Sequence, residues 1–263
     1  MVTGPVPIAE RRRPSVVVVA VAALVLLLGA VGFLVSAGGV ASQLLPRRFT
    51  GAQQAAIMNW EVAGRWRDLP AGTIFAGSIG YPQPAVLDGT GNSLSLSAHR
   101  VGIAEQAPCR SAVDPAAAAA LVREGCEAVL RATYVDGTDS YVVTVGVAAF
   151  AGGAQAVAAE RQIDAVKPRA GALAPGVLPV AFAGTPAAYF TAGSRQITEA
   201  SADGSYLVMY AIGYADGRPR VPITADSYAD AEMTGMGTGV AGAIASVLGE
   251  SPAPPHCPGT PGC

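Results

Sequence analysis

The amino-acid sequence predicts an α+β fold: an N-terminal transmembrane helix followed by one extracytoplasmic domain with a mainly antiparallel sheet and helices on one face. Three observations lead to this prediction. Residues 16–35 form an uncharged apolar run, later β-type segments are joined by hairpin signals, and helix-type segments follow those hairpins. The composition agrees, because 51% of the 263 residues are hydrophobic and only 14% are charged, below the roughly 25% of average soluble domains.

The charge content excludes two broad classes of protein. The formal net charge is -2, with 17 basic and 19 acidic residues, so the clustered positive surface of a nucleic-acid-binding protein is not expected. So apolar a chain also differs from charge-rich disordered proteins. From Pro46 onward the chain has 14 basic and 18 acidic residues, which gives the domain no basic patch for anionic lipid headgroups.

The N-terminal segment is predicted to cross a membrane once. Three arginines at 11–13 precede the twenty uncharged residues of the apolar run, and a helix of that length matches the roughly 30 Å hydrocarbon core of a bilayer. We place a cytoplasmic tail at 1–15 and the transmembrane helix, in contact with lipid, at 16–40. A cleaved signal peptide is the alternative, because Val35-Ser36-Ala37 is a small-residue cleavage site, although the run exceeds the usual apolar region of 7–15 residues.

Two features predict that the domain lies outside the plasma membrane. The three arginines before the span outnumber Arg47 and Arg48 after it, and the positive-inside rule then favours a cytoplasmic N-terminus. All four cysteines follow the span, and their even number suits an oxidising exterior.

The cysteines are predicted to form two disulfide bonds. They are Cys109, Cys126, Cys257 and Cys263, and four cysteines allow three pairings. We favour Cys109 with Cys126 and Cys257 with Cys263, because short loops close at the least entropic cost. The rival is a metal site of His256 with the last two cysteines, but its spacing fits no familiar zinc site, and no metal is expected.

The exterior domain is predicted to cover residues 46–250. Its expected helices lie at 51–67, 114–124, 153–166 and 227–248, and its expected strands at 73–81, 94–103, 128–135, 140–150, 187–200 and 205–214. Thr50 and Asp114 are helix caps, while Pro82 and Pro84 end the first strand. Residues 88–92 form a turn, and residues 251–263 form a Pro/Cys-rich tail with five prolines.

A strand–strand–helix pattern occurs twice in this domain. Asp136-Gly137 joins the first pair of strands and Asp203-Gly204 the second, and both dipeptides are hairpin signals. The tetrapeptide Ser-Tyr-Val-Val at 140–143 is similar to Ser-Tyr-Leu-Val at 205–208. A repeat of this kind predicts a four-stranded antiparallel sheet with the helices on one face.

Residues typical of enzyme sites are few. The G-x-G-x-x-G pattern at 237–242 lies inside a predicted helix instead of following a strand, which favours close helix packing over dinucleotide binding. A serine hydrolase would combine His99 with Ser95 or Ser97, but no third group orients the histidine. We therefore expect no catalytic residues, no cofactor and no enzyme activity.

Two residue groups have both a structural and a functional interpretation. Asp226, Asp230 and Glu232 lie near the start of the last helix, where acidic residues favour the helix dipole; they lack the pattern of a calcium loop. Trp60 and Trp66 suit a membrane interface, but we favour packing of their helix onto the domain.

Several segments carry a resemblance to a known group of proteins. They are Phe49-Thr50-x-Ala52-Gln53-Gln54, Trp60-Glu61-Val62, Arg65-Trp66-Arg67, Leu69-Pro70-Ala71-Gly72, Val129-Leu130-Arg131-Ala132-Thr133-Tyr134, Ser227-Tyr228-Ala229-Asp230-Ala231-Glu232 and the Cys-Pro-Gly ending. The chain resembles uncharacterised single-pass membrane proteins of high-GC actinobacteria such as streptomycetes. The resemblance covers most of the exterior chain and implies a location but no reaction.

The sequence predicts a non-enzymatic single-pass membrane protein whose exterior domain interacts with another cell-envelope or secretion component. The alternative is an extracytoplasmic sensor or binding module for a small ligand. A flat exposed apolar patch would favour the first function and a pocket the second. The pocket that would support the second function is a buried apolar one lined by Tyr189, Phe190, Tyr206, Tyr210 or Tyr214.

Overall fold

The computed structural model describes residues 50–87, 93–168, 171–221 and 227–250, and structural statements refer to these ranges. The chain divides into two units, Met1–Thr50 and Gly51–Cys263. The predicted transmembrane helix, the turn at 88–92 and the tail with Cys257 and Cys263 lie outside the described residues. Among the helices that are described, none has the length and apolar character needed to span a membrane.

The described chain forms one antiparallel sheet with helices, which confirms the α+β class. The strands are β1 Ser78–Leu87, β2 Ser93–Ile103, β3 Ala128–Asp136, β4 Tyr141–Ala149, β5 Arg195–Asp203 and β6 Tyr206–Tyr214. The α-helices are α1 Gly51–Asp68, α2 Ala71–Ile74, α3 Pro115–Arg123, α4 Gly153–Asp164 and α5 Tyr228–Gly249. The strand order is β1-β2-β3-β4-β6-β5, so the sheet has six strands where the repeat predicted four.

Helices pack on both faces of the sheet, and the prediction of one covered face is wrong. On one face, residues such as Leu121 of α3 and Ala156 of α4 share a core with Met209. On the other face, Val240 of α5 shares a second core with Val145. The central strands β4 and β6 are buried along almost their whole length, and a strand that is apolar on both faces requires cover on both.

The two predicted repeats match in their strands and differ in their helices. In the β4–β6 pair, Tyr141 lies opposite Tyr214 and Ala149 lies opposite Tyr206, as a local two-fold axis perpendicular to the sheet requires. Such an axis would place both following helices on one face. However, α4 follows β4 almost directly, whereas residues 215–227 separate β6 from α5, and this longer connection lets α5 reach the opposite face.

The first strand begins and ends later than predicted. Residues 71–74 form helix α2, and β1 continues through Pro82 and Pro84. Because β1 is at the edge of the sheet, its outer side needs no N–H donors, and proline is tolerated there.

The predicted strand at 187–200 also begins later. Two short 3-10 helices, Pro186–Tyr189 and Ala192–Ser194, precede β5. Thr185 accepts a hydrogen bond from the N–H of Ala187 at 3.2 Å, so the Thr-Pro start nucleates a turn instead of a strand.

Helix α5 lies between the central strands and edge strand β1. A Cβ atom at Gly237 would overlap the ring of Tyr210 in β6, and a Cβ atom at Gly239 would overlap the side chain of Tyr81 in β1. The first two glycines of the G-x-G-x-x-G pattern therefore allow close approach on two sides of the helix, whereas a Cβ atom at the third, Gly242, would meet no other atom. The packing interpretation of this pattern is confirmed.

Candidate functional site

The predicted disulfide between Cys109 and Cys126 is present. Their Cα atoms are 6.2 Å apart, and the bond closes a segment with a sequence separation of 17 that contains α3. Cys109 is buried beside Leu121 and the other core residues under α3. The bond therefore ties the two ends of the α3 segment to each other.

Asp114 forms an ion pair where the sequence predicted a helix cap. It makes no side-chain cap hydrogen bond to α3. Its carboxylate instead binds both terminal nitrogens of Arg195, at 2.7 and 3.0 Å, and also accepts from the N–H of Gly176 at 2.9 Å. The Arg195 Nε donates to the carbonyl of Ala192. This bidentate pair has a structural role: it joins the segment before α3 to the start of β5, and both charged groups already have partners.

The acidic group at the start of α5 does not form a single cluster. Asp226 lies outside the described residues. Asp230 is in the first turn of α5, and its backbone N–H donates a hydrogen bond to the Oγ of the cap residue Ser227 at 3.2 Å. Glu232 accepts a hydrogen bond from the hydroxyl of Tyr141 at 2.6 Å. The part of the chain that the structure describes contains no group of three side chains suited to a metal ion.

The Glu232 region is a cluster of tyrosines in which the hydroxyl of Tyr141 is bonded to the carboxylate. Burial raises the pKa of Tyr141, and its hydrogen bond to Glu232 raises it further. Burial, with Asp136 and Glu232 nearby, raises the pKa of Tyr81 to about 12. The rings of Tyr141 and Tyr214 lie 5.7 Å apart. These contacts join α5 to the sheet.

The five aromatic residues considered for an apolar pocket lie in different parts of the domain. Tyr189 is 71% exposed, whereas Phe190 is buried in the core under α3 and α4. Tyr206 donates to the carbonyl of Val62 in α1. Of the predicted set, only Tyr210 borders the cavity described next.

His99 and its neighbouring serines lie on an exposed surface. The His99 Nε2 atom is 3.5 Å from the Ser97 Oγ, at the limit of a hydrogen bond. In the described ranges no carboxylate bonds to the second ring nitrogen, so a hydrolase triad is not assembled there.

An open groove of about 290 Å³ lies between edge strand β5 and helix α5. Glu199, Ser201 and Asp203 of β5 form its polar side. Gly242 and Ala245 of α5 contribute to the opposite wall. The groove exists because these small side chains do not fill the space beside the strand.

The Tyr210 hydroxyl is an enclosed polar group at the base of this groove. The tyrosine is 3% exposed, and its hydroxyl has no hydrogen bond of normal geometry among the described residues. Burial raises the pKa of Tyr210, and the side chain of Glu199, opposite it in the β5–β6 pair, raises the pKa further because the carboxylate favours the protonated hydroxyl. Because the hydroxyl is enclosed, the groove presents the carboxylate of Glu199, and not this hydroxyl, to solvent.

Sequence reasoning missed Glu199 and Asp203 as site residues. The available signal was the alternation along β5, where Glu199, Ser201 and Asp203 are polar at every second position. That pattern indicates a polar strand face. It does not indicate which helix packs beside that face, and so the sequence did not predict the groove.

Comparisons with known proteins identify no relative of this chain. No protein-family model, curated protein or solved structure matches it. The residues of the groove and their contacts are therefore the guide to function.

Proposed function

We propose that this chain is a non-enzymatic single-pass membrane protein of the plasma membrane whose exterior domain binds a small ligand in the groove between β5 and α5. The observation behind the binding function is the groove itself, in which the polar side chains of Glu199 and Asp203 face small apolar residues such as Ala245 of α5. Ligand sites commonly combine an apolar wall with a few polar groups that fix orientation, and this groove has that composition.

The location is supported by two independent features. The apolar run at 16–35 has the length of a membrane span, and the Cys109–Cys126 disulfide is typical of an oxidising compartment. Both agree with a cytoplasmic N-terminus and an exterior domain.

Labelling with a membrane-impermeant maleimide tests this topology. We would compare Asp164→Cys, at an exposed position of α4, with the matched variant Thr3→Cys in the predicted cytoplasmic tail. On intact cells we expect labelling of the first variant and, for the second, labelling only after lysis. The reverse pattern would overturn the proposed location.

A thermal-shift screen tests the binding function. The position of a Gly242 Cβ has no atom within 4 Å, so Gly242→Leu fills the groove without straining the fold. Ser246→Leu is the control, since Ser246 is exposed on the same helix but does not line the groove. We expect a ligand that stabilises the wild type and Ser246→Leu but not Gly242→Leu; stabilisation of all three would contradict binding in the groove.

Contact with an envelope protein is the second candidate function, and the exposure of Trp60 favours it. Trp66 packs partly buried against the core, as expected, but Trp60 on α1 is 49% exposed. Exposed tryptophans are common anchors of protein interfaces. A photo-crosslinker at Trp60 should then capture one defined envelope protein that a crosslinker at Asp164 does not; equal capture by both positions would count against this function.

A further inference from the structure

The first half of helix α1, residues 51–60, is exposed but carries no charge. Its sequence is Gly-Ala-Gln-Gln-Ala-Ala-Ile-Met-Asn-Trp, and the first charged residue of the helix is Glu61. Every residue of this half except Ile57 is exposed. A helix surface that faces water normally carries charged side chains. An uncharged, exposed half-helix that ends in a tryptophan therefore indicates a contact with something other than water.

Trp60 is on the side of α1 that faces away from the domain core. Val62 and Trp66 pack against the core that lies under α5, and the hydroxyl of Tyr206 donates to the carbonyl of Val62. At 3.6 residues per turn, Trp60 is rotated by about 200° from Val62, which places it nearly opposite on the helix. The two tryptophans therefore have different roles, because Trp66 joins α1 to the domain and Trp60, which is 49% exposed, projects from it.

The residues that share the Trp60 side of the helix are small and uncharged. Ala56 precedes Trp60 by one turn and Gly64 follows it by one turn, and positions four apart lie side by side on a helix. The core of a protein interface is enriched in several aromatic, methionine and arginine residues, whereas Trp60 is a single large side chain among small ones. A lone indole of this kind suits the headgroup level of a bilayer, where tryptophan is enriched.

The chain before α1 leads directly to the predicted transmembrane helix. Ten residues, 41–50, separate the end of that helix at residue 40 from Gly51, and ten extended residues reach at most about 36 Å. Trp60 lies nine residues further on, which is about 14 Å along α1. The anchor therefore keeps α1 within reach of a bilayer surface at all times, and no other partner has to be recruited.

We infer that the first half of α1 lies on the outer surface of the membrane that anchors the chain, with the Trp60 indole at the level of the lipid headgroups. This inference rests on the membrane anchor of the proposed function and adds a second contact with the bilayer. The contact comes from the indole and small apolar residues, because residues 51–60 include no basic side chain. We therefore expect it to depend neither on anionic lipids nor on salt concentration.

Quenching of tryptophan fluorescence by brominated lipid tests this inference. The chain has only two tryptophans, so Trp66→Phe leaves Trp60 as the single emitter, and the matched control Trp60→Phe leaves Trp66. The full-length variants are compared in phosphatidylcholine nanodiscs with and without bromine on the acyl chains. We expect brominated lipid to lower the emission of Trp66→Phe by about half, because an indole at the headgroup level is near the bromines. The emission of Trp60→Phe should be nearly unchanged, since Trp66 packs against the domain core.

Three outcomes would overturn the inference. They are no quenching of Trp60, equal quenching of both variants, and loss of the Trp60 quenching at high salt. The difference in emission between the wild type and Trp60→Phe reports on Trp60 in the native background, so the test does not depend on how well Trp66→Phe folds. Circular dichroism spectra show that each variant is folded.

Flotation of the same proteins with lipid vesicles separates this inference from the anchor on which it rests. If the chain floats with the vesicles but Trp60 is not quenched, the anchor stands and the surface contact of α1 is wrong. If the chain does not float, both are wrong. Capture of one envelope protein by a crosslinker at Trp60, without quenching by lipid, would overturn the lipid contact in favour of the second candidate function.

Discussion

Helix α5 packs beside two pairs of a tyrosine and a carboxylate, one near its N-terminus and one further along, and the two pairs are in different states. Near its N-terminus, the Tyr141 hydroxyl donates to Glu232 at 2.6 Å. Further along, Tyr210 lies beside Glu199, but its hydroxyl has no hydrogen bond in the described residues. A tyrosine and a carboxylate therefore make a structural contact at one end and border an open groove at the other. The difference lies in geometry: Glu232 is on the helix and reaches the sheet, whereas Glu199 is on the neighbouring strand.

The largest expected effect comes from the glycines that determine how closely α5 approaches the sheet. Gly237→Leu should destabilise the domain by about 3 kcal/mol, because the new side chain would overlap the Tyr210 ring. Gly242→Leu, one turn away where a Cβ meets nothing, should change stability by less than about 0.5 kcal/mol. Urea unfolding of both variants measures this contrast, and equal losses would show that α5 contacts the sheet equally at both positions.

The two tyrosine hydroxyls should respond differently to removal. Tyr141→Phe leaves the Glu232 carboxylate without its donor and should cost about 1 kcal/mol. Tyr210→Phe removes a hydroxyl that already lacks a partner and should leave stability nearly unchanged or slightly higher. Both free energies of unfolding are measured in urea, and a larger loss for Tyr210→Phe would show that this hydroxyl is bonded.

Alkaline pH should destabilise the domain through the buried tyrosines. The pKa of Tyr81 is raised from 10.0 to about 12, and burial also raises the pKa values of Tyr134, Tyr141 and Tyr210. Since the folded state holds these protons more tightly, their contribution is fully present below about pH 10 and is lost as pH rises through about 12. Absorbance at 295 nm should show these residues ionising together with unfolding, and reversible ionisation in the folded state would contradict their burial.

Local signals predicted the strands and helices well, but not the side of the sheet on which each helix packs. Asp136-Gly137 and Asp203-Gly204 lie at the two hairpins, and the last helix begins directly after Ser227, close to its predicted start. The error about the covered faces arose because a helix can lie on either face after a strand, and only the longer connection before α5 distinguishes it from α4.

The candidate site depends on this same long-range choice. Glu199 and Tyr210 are eleven positions apart in sequence and face each other across paired strands, while the small residues of α5 arrive from a distant segment. The sequence indicated Tyr210 among five aromatic residues, but only the packing of α5 separates it from Phe190, which lies in the other core. A groove between a strand and a distant helix has no local sequence pattern.

The most direct test of the account is the thermal-shift comparison of the wild type, Gly242→Leu and Ser246→Leu with a set of small compounds. The first variant adds a side chain inside the groove, and the second changes an exposed position of the same helix outside it. We expect at least one compound that raises the thermal midpoint of the wild type and of Ser246→Leu but not that of Gly242→Leu. Equal shifts in all three proteins, or no shift with any compound, would contradict the groove as a binding site.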